Sequence, residues 1–168
     1  TSRNFSDIDM NDAVLKSADF TRASLTTVGD EADINVVDTN LTYADLSAAT
    51  LSTRGRDADI DFAQVYQGGL FGANFAQATL QTAGHSSDIY FGYANLNRAD
   101  LTDASLSTAG DEAWIDFAYA DLRHADFTRA RLTTVGDGSN IDFSEAYMDS
   151  ITLTGWSPSA GHPNANVI

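Results

Sequence analysis

Apolar positions along this chain follow two nested periods. In "IDFAY ADLRH ADFTR ARLTT" (115–134) the first and third residue of every five are apolar: Ile115 and Phe117, Ala120 and Leu122, Ala125 and Phe127, Ala130 and Leu132. Six more residues, "VGDGSN", precede the next start, so the longer period is 4 × 5 + 6 = 26. Isoleucine opens each copy at Ile8, Ile34, Ile60, Ile89, Ile115 and Ile141, with spacings of 26, 26, 29, 26 and 26. The resemblance of "ADFTRASLTTVGDEADI" (18–34) to "ADFTRARLTTVGDGSNI" (125–141) is one structural unit met twice.

A helix cannot use this pattern, because a five-residue step at about 100° per residue rotates the apolar pair by roughly 140°. A straight strand fails as well, since the next pair begins an odd number of residues later and points outward. The chain must bend at every fifth residue. Four bends return it to its start one strand spacing further on, and six stacked coils make a rod of about 29 Å. The expected fold is all-β: a four-sided parallel β-solenoid of about six coils over residues 8–155, with 1–7 as an N-terminal cap and 156–168 as a C-terminal cap. Leu46, Leu51, Phe75, Phe91, Leu101, Phe127 and Leu132 are expected in its core, and Phe5 and Trp156 are the candidate end caps.

The six-residue excursions "VGDEAD", "RGRDAD", "AGHSSD", "AGDEAW" and "VGDGSN" each carry a charged or histidine residue where a fifth wall would need an inward one. Burying those groups unpaired would cost several kcal/mol each. The excursion is therefore read as a protruding corner turn entered through its glycine. Three extra residues around Val65–Gln67 predict a bulge in the third coil.

The run "ANLNR ADLTD ASLST" (94–108) resembles the pentapeptide-repeat family in its A(D/N)LXX units, over about residues 8 to 155. That resemblance implies a right-handed quadrilateral β-helix, and with no catalytic set in the sequence a non-enzymatic module is expected. Some members imitate the charge and width of duplex DNA and bind DNA gyrase or a related topoisomerase, often as dimers. The corner turn in every coil departs from the family pattern.

Composition narrows the partner. The 168 residues hold 9 Lys+Arg against 24 Asp+Glu, a net charge of −15, which disfavours direct nucleic-acid binding and favours a basic, DNA-binding protein as partner. Cysteine is absent, which removes disulfides and thiol chemistry. No segment reads as a membrane span or signal peptide, so a soluble chain is expected, cytoplasmic or exported. His85, His124 and His162 fall in different registers and converge on no metal or nucleophile. No cofactor, metal or catalytic residue is assigned.

Candidate contact residues fall in columns. Acidic walls carry Asp19, Asp45, Asp100 and Asp126 on the third side and Asp61, Asp116 and Asp142 on the first; corner turns carry Asp30, Glu31, Asp111, Glu112, Trp114 and Asp137. Asp and Asn at bends commonly bond nearby backbone, which is the structural reading of the walls. The fourth side is hydroxyl-rich, with Thr27, Thr53, Thr82, Thr108 and Thr134 expected outward as an ice- or glycan-binding face. The leading expectation is a protein-binding module that acts as a DNA mimic. The alternatives are a structural module of a larger extracellular or virion assembly, and binding through the hydroxyl face. A homodimer or end-to-end assembly through the solenoid ends is also expected.

Overall fold

The computed structural model describes residues 6–63, 69–160 and 166–167. Of the expected N-terminal cap at 1–7, residues 1–5 with Phe5 lie outside the described residues, as does the bulge around Val65–Gln67. The strands run β1 (Ile8–Asp9), β2 (Ser24–Val28), β3 (Ile34–Asn35), β4 (Thr50–Arg54), β5 (Ile60–Asp61), β6 (Thr79–Ala83) and β7 (Ile89–Tyr90). They continue with β8 (Ser105–Ala109), β9 (Ile115–Asp116), β10 (Arg131–Val135), β11 (Asn140–Asp142), β12 (Ser157–Ala160) and β13 (Asn166–Val167). The odd strands from β1 to β13 form one parallel sheet; β12, β10, β8, β6, β4 and β2 form the other.

The isoleucine period is the register. Ile8 pairs with Ile34, Ile34 with Ile60, Ile60 with Ile89, Ile89 with Ile115 and Ile115 with Ile141. Leu25, Leu51, Leu80, Leu106 and Leu132 align likewise on the opposite sheet. The second and third walls are held by single parallel bridges, such as Asn95 to Asp121 and Asp100 to Asp126. The four-sided β-solenoid is therefore the fold.

The first three bends of a coil close by a left-handed residue at the fifth position, as at Asp38, Tyr43 and Ala48 (φ 54°, 57° and 55°) and again at Tyr119, His124 and Arg129 (φ 60°, 61° and 56°). This conformation is uncommon for residues with a β-carbon. It is sustained because the next residue's N–H donates back across the turn, Ala49 to the Leu46 carbonyl for example (3.0 Å).

Leu46, Leu51, Phe75, Phe91, Leu101, Phe127 and Leu132 are all buried, as expected from the period. Phe62, Phe91, Phe117 and Phe143 stack face to face at 5.0, 4.9 and 5.0 Å, and Phe75 and Phe127 meet that column edge-on. Trp156 closes the column with its ring edge-on to Phe143 at 5.7 Å. Beyond it the period continues: Arg131 pairs with Ser157 and Asn140 with Asn166, so strands of the tail extend the same two sheets.

One expectation is overturned. Thr27, Thr53, Thr82, Thr108 and Thr134 do not face solvent; their exposure is 2% or less. The fourth-wall strands run straight for five residues, so the threonine two positions after each core leucine points inward too. Its hydroxyl is satisfied locally: Thr27, Thr53 and Thr82 Oγ1 donate to the carbonyls of Ala32, Ala58 and Ser87 at 2.6 Å. These hydroxyls stitch the corner turn to the wall instead of offering a surface.

Candidate functional site

The acidic columns are built from the bends upward. Asp19, Asp45, Asp100 and Asp126 each accept, through Oδ1, the N–H of the residue two further on, at 2.8–2.9 Å. Asp61, Asp116 and Asp142 do the same at 2.6–2.7 Å. Each carboxylate thus fixes its own turn. On the third wall the columns run without a break, Asp19 to Asp45 to Asn74 to Asp100 to Asp126.

The corner turns stack as a ladder of their own. The N–H groups of Arg56 and Asp137 donate to Asp30 and Asp111 Oδ1, one coil back, at 2.9 Å. Asp30, Asp111, Glu112 and Asp137 are exposed and Glu31 is half-buried, so these acids form a discontinuous ridge with Arg56 and His85 in its middle. His85 Nε2 lies 4.0 Å from Glu112 Oε2.

Beside that ridge runs a second ladder, in the register that also holds Trp114. Asp7, Asp33, Asp59 and Asp88 accept in turn the N–H of Asp33, Asp59, Asp88 and Trp114, at 3.1, 2.8, 2.7 and 2.6 Å. Trp114, half-buried, ends the run because it has no oxygen to offer the next coil. Burial outweighs these hydrogen bonds: Asp59 is pushed up to about 7, with the Asp88 and Asp33 charges adding to the shift. Burial also raises Asp33, Asp61, Asp88 and Asp116. Tyr90 Oη donates to Asp88 Oδ2, and burial together with that carboxylate raises the phenol. Asp19, by contrast, is lowered by its hydrogen bonds from Thr21.

Among the described residues no group of three or more His, Asp or Glu side chains is arranged to hold a metal ion. None of their helices is long and apolar enough to cross a membrane.

Residues 1–28 and 113–133 match the family model of pentapeptide repeats, in eight copies. In these two stretches the chain is similar to pentapeptide-repeat proteins. No curated protein matches this chain in sequence. Among solved structures it is similar to QnrB1, a plasmid-mediated fluoroquinolone resistance protein, at 12% identity and a TM-score of 0.22, over 90% of each chain. It is also similar to HetL, a pentapeptide-repeat protein involved in heterocyst differentiation regulation from the cyanobacterium Nostoc, at 20% identity and a TM-score of 0.14, over 90% of this chain and 89% of that one. Neither superposition carries an argument, and the architecture of the solenoid rests on its own strand register.

Proposed function

We propose that this solenoid is a rigid, non-enzymatic decoy that presents duplex-like negative charge to a basic, DNA-binding protein, with a topoisomerase such as DNA gyrase as the candidate partner. The observation that carries the reading is charge per unit length. A net charge of −15 over six coils of about 4.8 Å is one charge per roughly 1.9 Å of axis, against about 1.7 Å in duplex DNA. Its support is local as well. The Oδ1 atoms that fix the bends hold the carboxylates of Asp45, Asp100 and Asp126 in one line along the third wall, leaving few rotamers to order on binding.

The test is supercoiling by purified DNA gyrase titrated with the protein. Inhibition is expected, weakened at least tenfold in the double variant Asp45→Asn, Asp100→Asn. Asparagine keeps the Oδ1 acceptor that fixes each bend and removes only the charge. Absence of inhibition, or inhibition indifferent to the double variant, refutes the reading.

A second reading belongs to the fourth wall. With the buried threonines removed, Ser24, Thr26, Thr50, Ser52, Thr79, Ser105, Ser107 and Thr133 still alternate outward on in-register strands. Thermal hysteresis tests it as an ice-binding face; activity is expected to fall in Ser52→Leu and to be absent altogether if the wall is only a sheet surface.

A further inference from the structure

Among the described residues the exposed aromatic side chains are Tyr43, Tyr93, Tyr119 and Tyr147, and all lie on the second wall or at its two edges. Such clustering marks contact surfaces, because tyrosine contributes a large rigid ring with a polar tip. Three of the four surround one open groove of about 380 Å³, together with Asn95, Asp121 and Arg123.

The groove is assembled across coils. Tyr93 and Tyr119, one coil apart, stack with ring centres 4.8 Å apart and planes 5° from parallel. Asn95, Asp121 and Tyr147 form the adjacent column, joined by parallel bridges from Asn95 to Asp121 and from Asp121 to Tyr147. Tyr93, Tyr119 and Tyr147 keep 64%, 48% and 62% of their surface exposed, so aromatic walls stand over a polar floor.

The floor decides the ligand. Arg123 donates from Nε and Nη2 to the two Asp121 oxygens at 2.8 and 2.7 Å, a bidentate pair that holds the Asp121 carboxyl below the usual carboxylate range. A cationic guest would meet Arg123 and an anionic one Asp121, so neither gains a net partner there. An apolar peptide would bury that ion pair, which costs more than its side chains would recover. Asp121 already accepts four hydrogen bonds, from Arg123 N, Nε and Nη2 and from Asn97 Nδ2, but Arg123 retains unused N–H groups. A neutral, hydroxyl-rich ligand with one less polar face meets all three conditions.

We infer that this groove binds neutral carbohydrate, with pyranose C–H faces packed on the tyrosine rings and ring hydroxyls bonded to Arg123 and Asn95. The electron-rich ring face attracts the slightly positive C–H groups. The open, shallow shape along the solenoid axis suits successive sugars of a chain. This site lies on a different wall from the acidic column invoked for the decoy and is independent of it.

Native gels cast with neutral polysaccharides (cellulose derivative, xylan, mannan, dextran or starch) test the inference through retarded migration. At least one polysaccharide is expected to retard the protein, and 0.5 M salt, which screens a charge-driven contact, should leave the retardation unchanged. Tyr119→Ala with Tyr147→Ala should weaken apparent binding at least tenfold, while Tyr43→Ala leaves it intact. Folding is not at stake in the Tyr119 change, since Ala48 already occupies the equivalent left-handed bend position (φ 55°). Retardation by none of the neutral polymers overturns the proposal. So does retardation that survives the double variant, or that appears only with an acidic polymer and vanishes with salt.

Discussion

Gly110 sits directly against Gly84: a β-carbon built on Gly110 would lie 1.9 Å from the Gly84 carbonyl oxygen. The same approach recurs from Gly55 to Gly29 at 1.9 Å and from Gly136 to Gly110 at 2.1 Å, so the corner glycines form a backbone-on-backbone ladder. No side chain can yield there, because the atom in the way is itself backbone. Gly110→Ala is expected to cost more than about 3 kcal/mol by forcing coils apart. Urea denaturation measures it; a loss under about 1 kcal/mol would show that the ladder shifts freely.

The buried threonines give a graded series. Thr53 Oγ1 donates to the Ala58 carbonyl at 2.6 Å inside the corner, whereas Thr134 Oγ1 is buried without a hydrogen-bond partner among the described residues. Thr53→Val removes the donor and strands a carbonyl, an expected loss of about 1–3 kcal/mol. Thr134→Val should be neutral or stabilising. Equal effects of the two substitutions in urea melts would contradict the assigned hydrogen bond.

Alanine at 48 and 49 separates conformation from burial. Ala48 is exposed at φ 55°, and Ala49 is fully buried. Ala48→Gly relieves a left-handed penalty of about 1 kcal/mol, offset in part by greater freedom in the unfolded chain, and should be neutral to stabilising. Ala49→Gly should destabilise by about 1 kcal/mol. A thermal melt in which the order is reversed would dismiss the bend assignment.

Acid should stabilise this protein. Asp59 titrates at about 7 in the folded chain, against 3.8 for an ordinary carboxyl, so the folded state holds the proton more tightly than the unfolded one. Its contribution is greatest below pH 4 and is lost as pH rises through 7, a change on the order of 2–4 kcal/mol. Asp33, Asp61, Asp88 and Asp116 are raised as well and act in the same direction. The melting temperature is expected to climb by several degrees from pH 8 to pH 5.5, and Asp59→Asn should raise it at pH 8 and flatten the profile. A melting temperature that falls over that range would count against the buried ladder.

Legibility differed by residue. The column from Ile8 to Ile141 and the burial of Phe91 and Leu101 could be read directly, because an apolar pair in every five residues leaves the chain one way to hide it. The Asx bonds of Asp45 and Asp100 were legible as the structural role of residues that favour turns. Thr53 was misplaced because the five-residue frame places it at a bend, while the strand runs on to Arg54 before turning. The tyrosine groove was invisible for another reason. Tyr93 and Tyr119 share one register and Tyr147 occupies a different one, so only the lateral contact of neighbouring columns gathers them.

By itself the sequence determined the coil length, the inward set and the sign of the surface charge, since these depend on local spacing and composition that every coil repeats. Tertiary structure decided which hydroxyls reach water, which aspartates are buried enough to be raised and where aromatic rings converge. Those properties depend on distances between residues a coil apart or on adjacent walls, and solvent exclusion there is set by packing across the stack.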